Sequence, residues 1–266
     1  MDLNGILVIS DLDGTLIDRN YTVPERTLRA VERLKRAGGR FTVATGRSPE
    51  SGRRYIEAVA PNSPGVILNG TLVYDFETGK ILWQNPMNTS GAKECIDRIR
   101  DHFPETGIEV FATQGLGVVH RNEWITQHLS REGIREFLPD VFHGPVLCKA
   151  IFADEADVIR KIIDFTGTFA HEEVRFVTSS PYFLEMLPAK ADKGSALREL
   201  MRICGYAREQ VYAIGDYYND LELLDAAGFA AVPDNAPDDL KQRADLVVCS
   251  CDEGAVGNLI EYLEQK

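Results

Sequence analysis

Long apolar runs, paired cysteines, low-complexity tracts and an excess of basic charge are all missing from this 266-residue sequence. The apolar run at residues 6–9 follows no basic segment and falls far short of the roughly 20 residues of a membrane span. A cytoplasmic protein with no membrane partner is expected. The five cysteines, Cys95, Cys148, Cys204, Cys249 and Cys251, are odd in number and lack the spacing of a zinc site or a secreted disulfide framework. They read as reduced structural thiols, and the near neighbours Cys249 and Cys251 are assigned no function. With 29 basic against 41 acidic side chains, the net charge of −12 repels nucleic acid. A small anionic substrate would need a local cluster of cations held against that field. Hydrophobic residues at 44% and charged residues at 26% match an ordinary globular protein, long enough for two domains.

The chain begins with an α/β rhythm. Residues 5–10 form a short continuous apolar run ending at Asp11, the pattern of a strand buried on both faces of a parallel sheet and expected at its centre. A helix follows over residues 24–37, with Thr22 as its expected cap and Gly38-Gly39 as its stop. A strand at 40–44, a helix at 48–59, a strand at 65–68 and a hairpin over 71–83 complete a doubly wound start. From Asn85 the order becomes α+β for about a hundred residues before the parallel rhythm resumes with a helix at 194–204 and a strand at 210–214. The expectation is a Rossmann-like α/β core over 1–84 and 188–266, with an α+β cap inserted at 85–187.

Four patterns, each at a strand end or helix start, carry chemistry. Asp11-Leu-Asp13-Gly14-Thr15 places two carboxylates at the carboxyl end of the first strand, where open α/β sheets put their ligands. Gly14 is fourth in the run rather than sixth, so a calcium loop fails on spacing. Thr45-Gly46-Arg47-Ser48 opens a helix whose amides suit an anion. Lys193-Gly194 stands at another helix entry, and Gly215-Asp216-Tyr217-Tyr218-Asn219-Asp220 follows a strand with Asp220 able to point back beside Asp216. Two carboxylates and an amide there suit a hard cation. Each pattern alone also reads as a turn, a cap or a solvated lysine.

In this order, DLDGTL, TGR, the lysine of KG and GDYYND resemble the four motifs of the haloacid dehalogenase superfamily. The size of the insert, Asn69-Gly70-Thr71 before it and Ala231-Val-Pro-Asp-Asn235-Ala236 after it look like the large-cap, Cof-type (subfamily IIB) phosphatases, across essentially the whole chain. Pro233 departs from that pattern, where a smaller residue is expected.

The resemblance implies a Mg²⁺-dependent phosphatase acting on a small phosphorylated metabolite, such as a sugar phosphate, through an aspartyl-phosphate. It makes Asp11 the nucleophile and Asp13 the general acid and base, with Thr45 and Lys193 in the catalytic set. Mg²⁺ falls to Asp11, the Asp13 carbonyl, Asp216 and Asp220. Substrate contacts fall to Thr45, Gly46, Arg47, Asn69, Lys193 and Asn219. The cap junctions at 83–86 and 187–191 would form a paired hinge. Competing expectations are a phosphomutase or phosphotransferase of the same family, a receiver-like phospho-aspartate signalling domain, and a non-catalytic binding protein.

Overall fold

A computed structural model describes residues 3–169 and 172–266. The chain opens with β1 (Leu7–Ser10), α1 (Glu25–Arg36), β2 (Arg40–Val43), α2 (Pro49–Val59), β3 (Gly65–Ile67) and the hairpin strands β4 (Leu72–Asp75) and β5 (Lys80–Gln84). A second group follows: α3 (Thr89–His102), β6 (Gly107–Ala112), β7 (Gly115–His120), α4 (Glu123–Glu132), β8 (Leu147–Ala153), α5 (Ala156–Thr166), β9 (Val174–Ser180) and β10 (Phe183–Pro188). The chain ends with α6 (Lys193–Cys204), β11 (Val211–Ile214), α7 (Leu221–Ala226), β12 (Phe229–Pro233), α8 (Asp238–Lys241), β13 (Leu246–Val248) and α9 (Ala255–Leu263).

The chain divides into two compact units, Met1–Gln84 with Asp192–Lys266, and Asn85–Ala191. The second junction lies beyond the expected 187/188, because β10 runs through Pro188 and the Ala191 N–H bonds back to the Pro188 carbonyl. Among the described residues no helix is long and apolar enough to cross a membrane.

In the first unit the parallel sheet has the order β13-β12-β11-β1-β2. Alternate residues of β1 feed opposite cores, as a strand buried on both faces requires. Val8 packs with Val31 and Leu34 of α1 and Leu259 of α9, whereas Leu7 and Ile9 pack with Leu197 and Leu200 of α6 and Leu223 of α7. The strand is interior, but β11 rather than β1 takes the middle place. β3 meets the parallel sheet at the isolated Ala44 to Val66 bridge and pairs antiparallel with β4, so the third strand of the winding belongs to a separate three-stranded sheet. Thr22 does not cap α1. Its hydroxyl donates to Asp18 (2.9 Å), and Pro24 occupies the cap without a side-chain bond.

The second unit is an antiparallel sheet of order β7-β6-β8-β10-β9. One face packs apolar side chains, among them Val110, Phe152 and Met186, against Ile96 and Ile99 of α3 and Ile159 and Ile162 of α5. The opposite face carries charge below the surface: Lys149 Nζ lies 2.8 Å from Glu185 Oε2, and His128 Nδ1 of α4 lies 2.6 Å from the fully buried Glu109.

Candidate active site

At the end of β1 the Asp11 N–H donates to the Ile214 carbonyl of β11 (2.9 Å). Asp11 thus stands where β1 has β2 on one side and β11 on the other, a strand-order reversal that opens a crevice at the carboxyl ends. Gly14 then turns the chain at φ +78°, and a Cβ there would lie 2.4 Å from Asp216 Oδ2. Only glycine permits both that conformation and that approach. The Thr15 hydroxyl donates to Asp216 Oδ1 (2.8 Å), so the loop after β1 holds the carboxylate offered by the loop after β11.

Asp220 is fully buried and all of its acceptor geometry is turned inward. Its Oδ2 accepts the N–H groups of Asp216 (3.0 Å) and Tyr217 (3.3 Å), and its Oδ1 accepts the Lys193 ammonium at 2.6 Å. Lys193 also donates to Asp11 Oδ1 at 2.7 Å. The lysine is placed by the first turn of α6, where Asp192 accepts the Ser195 N–H (2.6 Å) in a capping box. Gly194 beside it lets α6 abut α7, since a Cβ would meet the Glu222 carbonyl at 1.9 Å.

One ligand oxygen from each of Asp11, Asp216 and Asp220 falls within 4.8 Å of the others. Among the described residues a single ammonium, that of Lys193, faces these carboxylates, and the imbalance is visible in their acidities. Burial, then the neighbouring Asp220, raises the Asp11 carboxyl well above its ordinary value despite Lys193. Burial and Asp220 push Asp216 up to about 6, against the Thr15 hydroxyl and Lys193. Burial pulls the Lys193 ammonium down, but Asp11 and Asp220 outweigh it and hold the proton above the usual lysine range. Asp11 Oδ2 and Asp216 Oδ2 take no part in the hydrogen bonds described, and such hard oxygens, carrying excess negative charge in a buried place, fit a divalent cation. Asp220 serves the cluster differently, with its oxygens committed to Lys193 and the Asp216 loop.

Asp13 is half exposed and forms a two-pronged pair with Arg47, Nε to Oδ2 and Nη2 to Oδ1 both at 2.8 Å. Arg47, expected on substrate, is therefore seated on the expected acid. Thr45 is buried, its carbonyl accepting the Asn69 N–H (3.0 Å) and its hydroxyl the Arg47 N–H (3.1 Å). Asn69 stands at φ 56°, so close to Gly46 that a Cβ there would meet its Oδ1 at 2.7 Å. Asn219 lies exposed in the 3₁₀ turn Tyr218–Asp220. Sequence reasoning gave no role to Thr15, whose only signal was its place directly after Asp13-Gly14, and none to Asn235, whose amide donates to the Gly14 carbonyl (2.9 Å).

Residues 8–260 match the haloacid dehalogenase-like hydrolase family. The pyridoxal phosphate phosphatase of Escherichia coli is 25% identical over 91% of this chain and 92% of its own length. The 5-amino-6-(5-phospho-D-ribitylamino)uracil phosphatase of Bacillus subtilis is 26% identical over 95% of this chain and 96% of its own. A haloacid dehalogenase-like hydrolase from Bacteroides thetaiotaomicron shares the fold at a TM-score of 0.85, with 23% identity, covering 97% of this chain and 99% of that one. Solved proteins described as subclass IIB and as Cof-like have the same fold. With its α/β core, its α+β insertion and the family match running nearly end to end, the chain belongs to the haloacid dehalogenase-like hydrolases.

Proposed function

We propose that this enzyme is a Mg²⁺-dependent phosphatase that hydrolyses a small phosphomonoester through an aspartyl-phosphate on Asp11. The observation that carries this reading is the meeting of Asp11, Asp216 and Lys193 at the strand-order reversal, with a carboxylate excess that a divalent cation would offset. The relatives named as phosphatases act on phosphorylated metabolites of different skeletons, which supports the class of reaction and leaves a sugar phosphate or related monoester as the substrate class.

The carboxylates of Asp11 and Asp216 and the backbone carbonyl of Asp13 would hold Mg²⁺, which when bound shields Asp11 from the phosphate dianion. Asp11 forms a bond to phosphorus as the bond to the leaving oxygen breaks, and that oxygen takes its proton from Asp13. In the second half, Asp13 accepts a proton from water, the water oxygen bonds to phosphorus, and the acyl-phosphate bond breaks to restore Asp11. Lys193, fixed by Asp220, favours the ionised form of Asp11 against burial and faces the transferred group with the Thr45 hydroxyl and the Gly46 amide. Arg47, Asn69 and Asn219 are assigned to the substrate side, Arg47 exchanging its Asp13 pair for phosphate. The unit Asn85–Ala191 is assigned as the cap that reads the leaving group.

A panel of phosphorylated metabolites and an aryl phosphate, assayed for phosphate release with Mg²⁺ and with chelator, tests the proposal. Release to water and its loss in chelator are expected, whereas transfer to an alcohol instead would make the enzyme a mutase. Full turnover in chelator would refute the metal assignment.

A further inference from the structure

We infer that Asn235 is a positioning residue for the catalytic loop, acting as a brace between the Gly14 carbonyl and the turn that precedes α9; this rests on the phosphatase reading above. Pro233 ends β12, and its carbonyl accepts the Ala236 N–H (2.9 Å), closing a turn that presents Asn235. The Asn235 amide donates through Nδ2 to the Gly14 carbonyl (2.9 Å) and accepts through Oδ1 from the Cys251 N–H (2.8 Å). A donor meets a carbonyl and an acceptor meets an N–H, so the amide has one orientation that satisfies both. The same 3₁₀ turn, Cys251–Glu253, grips the loop a second time. Asp252 accepts the Arg19 N–H (3.0 Å) and pairs with the Arg19 guanidinium (3.2 Å).

The peptide that Asn235 holds joins Gly14 to Thr15. Its Gly14 side lies against the Asp216 carboxylate with no room for a Cβ, and its Thr15 side supplies the hydroxyl that binds Asp216 Oδ1. Rotation of this one peptide would therefore turn the Thr15 hydroxyl away from Asp216 and drive backbone into the carboxylate. Asp13 lies one residue before the same peptide, joined to it through Gly14, so a shift of the peptide would also move the backbone that carries the proton-transfer group. Asn235 touches none of the reacting groups and is itself exposed. A solvated asparagine contributes little to folding, whereas misplacing a catalytic group by an ångström costs on the order of a hundredfold in rate.

The test compares wild type, Asn235→Ala and Asn235→Asp on an aryl phosphate with Mg²⁺, with the folded fraction followed by circular dichroism. Expected for Asn235→Ala is a kcat lower by about ten- to a hundredfold with KM within about twofold and the protein folded at assay temperature. Asn235→Asp keeps the shape but turns an oxygen toward the Gly14 carbonyl, and should lose more. A kcat for Asn235→Ala within twofold of wild type, an Asp variant no worse than the Ala variant, or unfolding of both would overturn the inference. Wild-type protein that releases no phosphate would instead refute the function on which it rests.

Discussion

Lys193 is the residue whose position most needs explaining. A cation in the first turn of a helix opposes the helix dipole, and burial alone would strip its proton, yet it sits fully enclosed between Asp11 and Asp220. The carboxylates hold it there. Lys193→Met should leave them facing one another without a counter-charge and cost about 3–5 kcal/mol of stability, read as a lower denaturation midpoint in urea, together with loss of phosphate release. An unchanged midpoint would mean that the lysine is not the keystone of this cluster. Asp11→Asn is nearly isosteric and should keep the fold while lowering kcat by at least about a thousandfold. Borohydride reduction during wild-type turnover should convert residue 11 to homoserine, detected by peptide mass, and the Asn variant should show none. At this scale the sequence was partly legible: Asp11 and Asp216 stood out by their place after apolar runs. Asp220 did not show its role, because an aspartate at a helix start reads the same whether it caps the helix or, as here, holds a lysine and two loop amides.

Among the elements, α6 and α7 set the site by their closeness. Gly194 lies against the Glu222 carbonyl, and a methyl there would force the two helices apart by more than a side chain can absorb. Gly194→Ala should therefore destabilise by about 1–3 kcal/mol and depress turnover further than that loss predicts at a temperature where the variant is folded, since Lys193 rides on the displaced turn. A variant of wild-type kcat would show that α6 can shift without carrying the ammonium away. The helix start was legible in Lys193-Gly194, where the parallel rhythm resumes, but the reciprocal cap between Asp192 and Ser195 came only from the structure. The partner of β3 was not legible. Gly65-Val-Ile is three apolar residues, too short for its pattern to separate a strand of the parallel winding from one that pairs antiparallel with β4. Thr22 was misread for a similar reason: a hydroxyl near a helix start has more than one acceptor within reach, and Asp18 won it.

For the whole molecule the consequence of the proposed metal site is that folding and metal binding are linked through protons. The raised pKa of Asp11 and of Asp216, the latter about 6, means that the folded protein keeps protons that the unfolded chain releases above the ordinary value of 3.8. Without a cation, this pair contributes a stability that falls as pH rises through that window and is lowest above it. Mg²⁺ binding the ionised pair should therefore raise the melting temperature more at pH 7.5 than at pH 5. At a hundred times its dissociation constant the gain is about 2.7 kcal/mol, and chelator should reverse it. An equal rise at both pH values, or none, would remove these aspartates from the metal site. The acidic excess of the chain, −12, adds to the need for a local cation.

The sequence by itself determined the α/β core, the interruption of its rhythm near Asn85 and the placing of Asp11, Thr45, Lys193 and Asp216 at strand ends or helix starts, because burial periodicity and turn chemistry are local properties of the chain. Only the tertiary structure decided that Asp220 grips Lys193, that Arg47 is seated on Asp13, and that Asn235 braces Gly14. Each of those contacts joins segments whose separation along the chain says nothing about their distance in space, and each depends on which of several acceptors a flexible side chain reaches once the strands have chosen their neighbours.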